Sequence, residues 1–206
     1  MNRPTQREEK KLWKKGFKYI AGADEAGRGP LAGPIVAAAA IFAPGTRISG
    51  INDSKKLNAR QREKLGAKIK EKALAFSSEK ISAGQIDKLG LQKANEEVIK
   101  KAVKKLKIRP DFVLIDAIKI KMKIPHKSVI KGDEKIFSVA AASILAKTAR
   151  DKLMKKAHQK YPLYCFEKNA GYGTKKHFQA LKKHGPCPFH RLTFRPLNKS
   201  KASAII

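Results

Sequence analysis

The stretch Lys18-Tyr19-Ile20-Ala21-Gly22-Ala23-Asp24-Glu25-Ala26-Gly27-Arg28-Gly29-Pro30 decides the architecture, together with the apolar run at 35–42 that follows it. A short apolar run, two acids, a glycine-rich bend and a second apolar run read as strand, turn and buried strand. Working outward, 75–82 reads as a third strand. Leu91, Ala94, Val98, Ala102 and Leu106 recur at helical spacing, which predicts an amphipathic helix over 91–107 with a lysine-coated outer face. Pro110 stops it, and 112–115 and 126–130 read as further short strands. Helix formers fill 60–74, with a helix start read at Asp53-Ser54-Lys55-Lys56. Residues 136–157 form a long helix whose Ala-rich first half suits close packing on a sheet, and 175–183 a last helix. The class is α/β, with no internal repeat and no low-complexity linker.

The 206 residues carry 47 Lys and Arg against 17 Asp and Glu, a net charge of +30, while 42% apolar residues are enough to bury a core. Disorder of the whole chain is excluded, and a polyanionic partner is indicated, nucleic acid being the commonest. The longest apolar run, 34–44, is too short for a membrane span, and the charged N-terminal segment lacks the apolar stretch of a signal peptide. A cytoplasmic protein with no membrane partner is expected, and two cysteines fit a reducing compartment. Cys165, His184, Cys187 and His190 are zinc-ligand types, but their spacing is irregular and no C-x-x-C pair occurs, so loop and packing roles are expected. Residues 1–18 hold seven Lys or Arg and two Glu and read as a frayed basic tail with one helical turn around Trp13. Beyond Glu167 there is no acid against nine Lys or Arg, the composition of an extension draped on the core.

In so basic a chain the acids are informative. Asp24 and Glu25, Asp116 and Asp133 each follow an apolar, strand-like run, and strand ends are where α/β folds place their sites. An Asp in such a position often only caps a turn. Three positions together point to converging carboxylates, which repel unless a cation lies between them, and hard oxygen donors suit Mg²⁺ or Mn²⁺. On a cationic surface that arrangement suggests metal-assisted phosphodiester chemistry. Adjacent strand residues point to opposite faces, so Glu25 is expected where the strand begins to bend. No G-x-S-x-G, G-x-x-x-x-G-K-[ST] or H-E-x-x-H motif occurs. A noncatalytic nucleic-acid-binding protein would explain the charge equally well but not the clustered acids.

The run from Asp24 to Pro34, Asp-Glu-Ala-Gly-Arg-Gly-Pro-Leu-Ala-Gly-Pro, resembles the signature of the ribonuclease HII family. Asp53-Ser54-Lys55-Lys56-Leu57, the strand ending in Asp116, Gly132-Asp133, the Ala-rich helix through Ser143 and Lys147, Gly171-Tyr172-Gly173-Thr174 and His190-Arg191-Leu192-Thr193-Phe194 resemble that family's blocks in the same order. The related ribonuclease HIII group has Gly-Thr-Gly where this chain has Gly27-Arg28-Gly29. Asn58 and Thr193 stand where the family commonly has Ser.

The resemblance implies a ribonuclease H-like mixed sheet flanked by helices, with a helical C-terminal extension closing the substrate groove. The expected units are a tail at 1–17, a catalytic core at 18–160 and the extension at 161–206. It further implies an endoribonuclease that hydrolyses the RNA strand of RNA/DNA hybrids. Such an enzyme also incises 5′ to ribonucleotides embedded in duplex DNA, as a monomer, leaving 3′-OH and 5′-phosphate ends. Asp24, Glu25, Asp116 and Asp133 match the family's catalytic, metal-holding acids, with Mg²⁺ or Mn²⁺ as cofactor. Gly27, Arg28, Gly29, Lys55, Ser143, Lys147, Tyr172, His190 and Arg191 are the expected substrate contacts. Asp151, within a helix and next to Arg150, is expected to be structural.

Overall fold

In the computed structural model, which describes residues 3–52, 54 and 57–198, the chain forms a five-stranded mixed sheet with helices on both faces. The strands are β1 (Ile20–Ala26), β2 (Ile35–Ile41), β3 (Ala75–Ile81), β4 (Phe112–Asp116) and β5 (His126–Val129). The helices are α1 (Arg7–Trp13), α2 (Ala59–Lys72), α3 (Ala83–Leu89), α4 (Leu91–Lys104), α5 (Gly132–Lys135), α6 (Phe137–Lys160), α7 (Phe166–Asn169) and α8 (Lys175–His184).

The order across the sheet is β3-β2-β1-β4-β5. β1 and β2 pair antiparallel from Ala21 opposite Ile41 to Ala26 opposite Val36. β4 runs parallel to β1, Ala23 lying opposite Ile115. This register brings the carboxyl ends of two neighbouring strands to one edge of the fold, where their terminal acids meet.

Strand alternation divides the core in two. Ala21, Ala23, Ala37, Ala39, Val113 and Ile115 pack on the apolar stripe of α4, Ala94, Val98, Ile99 and Ala102. On the other face Ala38 and Ala40 meet Ile69 of α2 and Ala140, Ala141 and Ile144 of α6. The small residues of β1 and β2 let α6 come unusually close: a Cβ on Gly22 would lie 2.2 Å from the carbonyl carbon of Ser138. Only glycine fits at that contact.

Two expectations need correction. The N-terminal segment is docked rather than frayed. Glu9 is buried, and its Oε1 accepts the backbone N–H of Ser138 at 2.9 Å, while the Thr5 carbonyl accepts that of Phe137 at 3.1 Å. Helix α6 has no side-chain cap of its own at Ile136, so this segment satisfies its first amides. The second helix starts later than read. Asn58 Oδ1 accepts the Gln61 N–H at 2.9 Å and Gln61 Oε1 accepts the Asn58 N–H at 2.8 Å, a reciprocal cap that places the start at Ala59. Asp53, Lys55 and Lys56 lie outside the described residues. Beyond α6, Tyr164 and Phe166 pack with Ala32, Met154 and Ala157, which seats the C-terminal segment against the loop following β1.

Candidate active site

Asp24 near the end of β1 and Asp116 at the end of β4 come side by side because the strands are parallel neighbours. Asp133 joins them from the start of α5, a turn held in place by the Gly132 N–H, which donates to Asp116 Oδ1 at 2.6 Å. Carboxylate oxygens of Asp24, Asp116 and Asp133 lie within 4.8 Å of one another. They open into a cavity of about 290 Å³ whose wall includes Ser54, Arg28, Ser143, Lys147, Arg150 and Tyr172.

Glu25 reaches the cavity from the other side of the sheet. It does not sit at a bend: β1 continues through Ala26, Glu25 pairs with Ala37, and the turn begins at Gly27 with φ +96°. Alternation therefore sends its side chain to the α4 face, where Asn95 Nδ2 donates to Oε1 at 3.2 Å and Arg28 Nη1 lies 3.7 Å from the same oxygen. The other oxygen, Oε2, is buried without a hydrogen-bond partner among the described residues.

Burial is the first cause that pushes Asp24 well above the usual aspartate value; the charge on Glu25 and that on Asp116 add to it, and a hydrogen bond from Ser143 opposes it. Ser143 Oγ is also 3.0 Å from Ser54 Oγ, so with the Ser143 proton on Asp24, Ser54 donates to Ser143. Glu25 is raised as well, by burial first, against the opposing effects of Asn95 and Arg28. Crowded carboxylate oxygens, with the ionised forms of Asp24 and Glu25 disfavoured and one Glu25 oxygen buried without a partner among the described residues, form the environment a hard divalent cation relieves. The donor set fits such a cation.

The expected substrate contacts divide. Gly27, Arg28, Gly29, Ser143, Lys147 and Tyr172 all line the cavity. Lys55 lies outside the described residues. His190 and Arg191 are not part of the cavity wall, and both side chains are enclosed, at 2% and 0% exposure. Arg191 donates to the carbonyls of Gly33 at 2.9 Å, Arg28 at 2.8 Å and Gly27 at 2.6 Å, and so shapes the loop from behind. Arg150, equally buried, holds the Pro34 and Ala32 carbonyls. Asp151 is taken up by Lys147 at 2.6 Å and Arg62 at 2.9 Å, away from the acid group, as a structural acid would be.

Asn95 was not singled out in the sequence, although a signal was present: it lies four residues after Leu91 on the apolar stripe of α4, a polar group where burial is expected. Asp87 was missed too. Its carboxylate accepts the Leu192 and Thr193 amides and, at 2.6 Å, the Thr193 hydroxyl. Thr in place of Ser preserves that last bond.

An acid cluster at the ends of parallel strands in this mixed sheet, under a cationic rim, defines a nuclease of the ribonuclease H-like class. The fold agrees: ribonuclease H2 from Pyrococcus horikoshii OT3 superposes with a TM-score of 0.76 at 28% identity, covering 88% of this chain and 96% of that one. The family model of ribonuclease HII matches residues 21–197. Over 194 residues the chain is 50% identical to the ribonuclease HII of Desulfitobacterium hafniense, covering 94% of this chain and 75% of that one. The ribonuclease HII of Caldanaerobacter subterraneus is 49% identical over 187 residues, 90% of this chain and 78% of the relative. The chain belongs to the ribonuclease HII family and is a ribonuclease H enzyme.

Proposed function

We infer that the protein is an endoribonuclease that hydrolyses the RNA strand of RNA/DNA hybrids and incises 5′ to ribonucleotides embedded in duplex DNA. The ends left are 3′-OH and 5′-phosphate. The observation that carries this reading is the group of three aspartates at the strand ends, with Glu25 approaching from the opposite face. In it Asp24, Glu25, Asp116 and Asp133 are the catalytic residues that hold Mg²⁺ or Mn²⁺, which when bound activates water and stabilises the leaving oxygen.

The chain's own residues do the positioning. Ser143 fixes the Asp24 carboxylate and the Gly132 amide fixes that of Asp116. With the Gly27 and Arg28 carbonyls taken by Arg191, the 27–29 loop offers its N–H groups and the Arg28 guanidinium to a ribose hydroxyl and a phosphate. Tyr172, half exposed, forms the facing wall, its Cε1 3.8 Å from where a Gly29 Cβ would be. Lys147 adds positive charge at the cavity floor. The enzyme acts as a monomer on this reading, and no helix among the described residues is long and apolar enough to cross a membrane.

Replacing Asp116 by Asn tests the site. Hydrolysis of a labelled hybrid in Mg²⁺ should fall by more than about a hundredfold, since metal ligands matter at least as much as the groups that orient them. Duplex affinity should hold or rise slightly, because a negative charge is removed and no lysine is lost. Near-normal turnover by this variant would show that the acid group is not the active site.

A further inference from the structure

The C-terminal segment contains two fully enclosed histidines outside the acid site, His177 of α8 at 0% and His190 at 2% exposure. Their Nε2 atoms are 3.0 Å apart, a contact in which one ring must donate and the other accept. The Tyr172 end fixes the direction. His177 Nδ1 lies 2.8 Å from the Tyr172 carbonyl, which only accepts, so that nitrogen carries the proton and Nε2 of the neutral ring is bare. At the other end the Cys187 N–H donates to His190 Nδ1 at 3.0 Å, and the Cys187 carbonyl, which takes the backbone N–H of His190 at 2.9 Å, and the Cys187 Sγ each lie 3.2 Å from the same nitrogen. Because His177 Nε2 is bare, the 3.0 Å contact requires the His190 proton on Nε2, facing His177, which leaves His190 Nδ1 to accept from the Cys187 amide. The reverse assignment would set a bare His177 Nδ1 against a carbonyl lone pair. Packing against Tyr164 and Phe166 leaves both imidazoles below the ordinary histidine value, chiefly through burial, with His190 at about 4, so both rings are neutral near pH 7.

We propose that His177 and His190 are positioning residues for ribonucleotide recognition: an ordered hydrogen-bond chain from the Cys187 amide through both imidazoles to the Tyr172 carbonyl sets the gap between Tyr172 and Gly29. The proposal rests on the reading of Tyr172 as the wall that faces the ribose. The Thr174 amide holds the same carbonyl at 2.9 Å, so the His177 bond supplies a second, lateral restraint. The neighbouring residue Arg191 fixes the other wall through the Gly27 and Arg28 carbonyls. The His190-Arg191 pair thus ties both sides of the gap to one buried anchor, and the width of that gap decides whether a single ribose is gripped.

The test has a spectroscopic and a kinetic part, both on the full chain. Long-range ¹⁵N–¹H correlation at pH 7 should show His177 in the Nδ1–H form, the less common one for a free imidazole, and His190 in the Nε2–H form. The opposite pair, or a charged ring, overturns the chain. In the kinetic part, His177→Phe should lower the preference for a one-ribonucleotide duplex over a uniform hybrid by about tenfold, the worth of one restraining hydrogen bond. His177→Asn, whose amide N–H stands in for Nδ1–H, should retain most of that preference. If His177→Phe does not fold, His190→Leu against His190→Gln makes the same comparison, Gln keeping a donor toward His177. Unchanged preference in the donor-free variants, alongside its loss in Tyr172→Ala, overturns the positioning role alone. Unchanged preference in Tyr172→Ala overturns the reading of Tyr172 and the positioning role with it.

Discussion

Asp24 is held where its charge is least welcome. It is 4% exposed, burial and the neighbouring charges of Glu25 and Asp116 favour its protonated form, and hydrogen bonds from Ser143 and from the Glu25 amide favour the carboxylate. In the unfolded chain the same group ionises at its ordinary value, so the folded, metal-free protein binds the proton more tightly. The contribution of this one group to stability is then largest below the unfolded value of 3.8 and declines as pH rises toward the raised folded value. A bound cation offsets this by stabilising the ionised form. Asp24→Asn should therefore raise the melting temperature in EDTA at pH 7 while lowering hydrolysis by more than about a hundredfold, the usual conflict between stability and activity at a catalytic acid. Melting curves with and without Mg²⁺ check both halves: wild type should gain from the metal and the variant should gain little. A variant that melts lower than wild type in EDTA would mean that the hydrogen bonds from Ser143 and the Glu25 amide outweigh burial and repulsion.

Whole elements show which parts of this fold were legible. The spacing of Leu91, Ala94, Val98 and Ala102 defines α4 because one apolar stripe against a sheet is a repeating local demand. The glycine-rich bend after β1 and the Ala-rich half of α6 were readable for the same reason, each being written in contiguous residues. All four acids were readable as a group because each follows closely on an apolar run, although Glu25 lies within regular β1 and not at the bend expected for it. Interactions between distant segments were not. Nothing local distinguishes a Glu9 that caps a helix beginning near residue 137 from a solvated acid in a basic tail. Nor does the sequence say that Arg191 turns inward to backbone carbonyls, since a guanidinium after a histidine looks equally suited to phosphate. The α1 cap is testable. Glu9→Ala leaves the Ser138 amide without its acceptor, which should cost about 1–2 kcal/mol, the range for helix N-caps. Denaturant melts should show that loss, and limited proteolysis should cut sooner within residues 1–18. A variant as stable and as resistant as wild type would mean that the α1 segment contributes nothing to the core.

Across the whole molecule the +30 charge is unrelated to what holds the fold together. The surface ion pairs, such as Lys100 with Glu96 and Glu97, are worth a few tenths of a kcal/mol each, and so many like charges on a small protein repel one another. A polyanion is what such a surface suits, and its binding should then be governed by counterion release. With the Asp116→Asn variant, so that no substrate is consumed, log Kd for a hybrid duplex should vary linearly with log salt. If about six to ten phosphates are neutralised, affinity should fall by roughly a thousandfold or more between 50 and 200 mM salt. The slope also separates the roles of individual side chains. Tyr172→Ala should weaken binding without changing the slope, because it removes a contact and no charge. Arg28→Gln should lower the slope by about one, since that side chain is exposed at the cavity rim. Lys147→Gln should lower it by less, because its ammonium already lies 2.6 Å from Asp151 and is only partly available to a phosphate. Fluorescence anisotropy at four or five salt concentrations measures all three variants, and a flat response in the parent would remove the cationic surface from the account of binding.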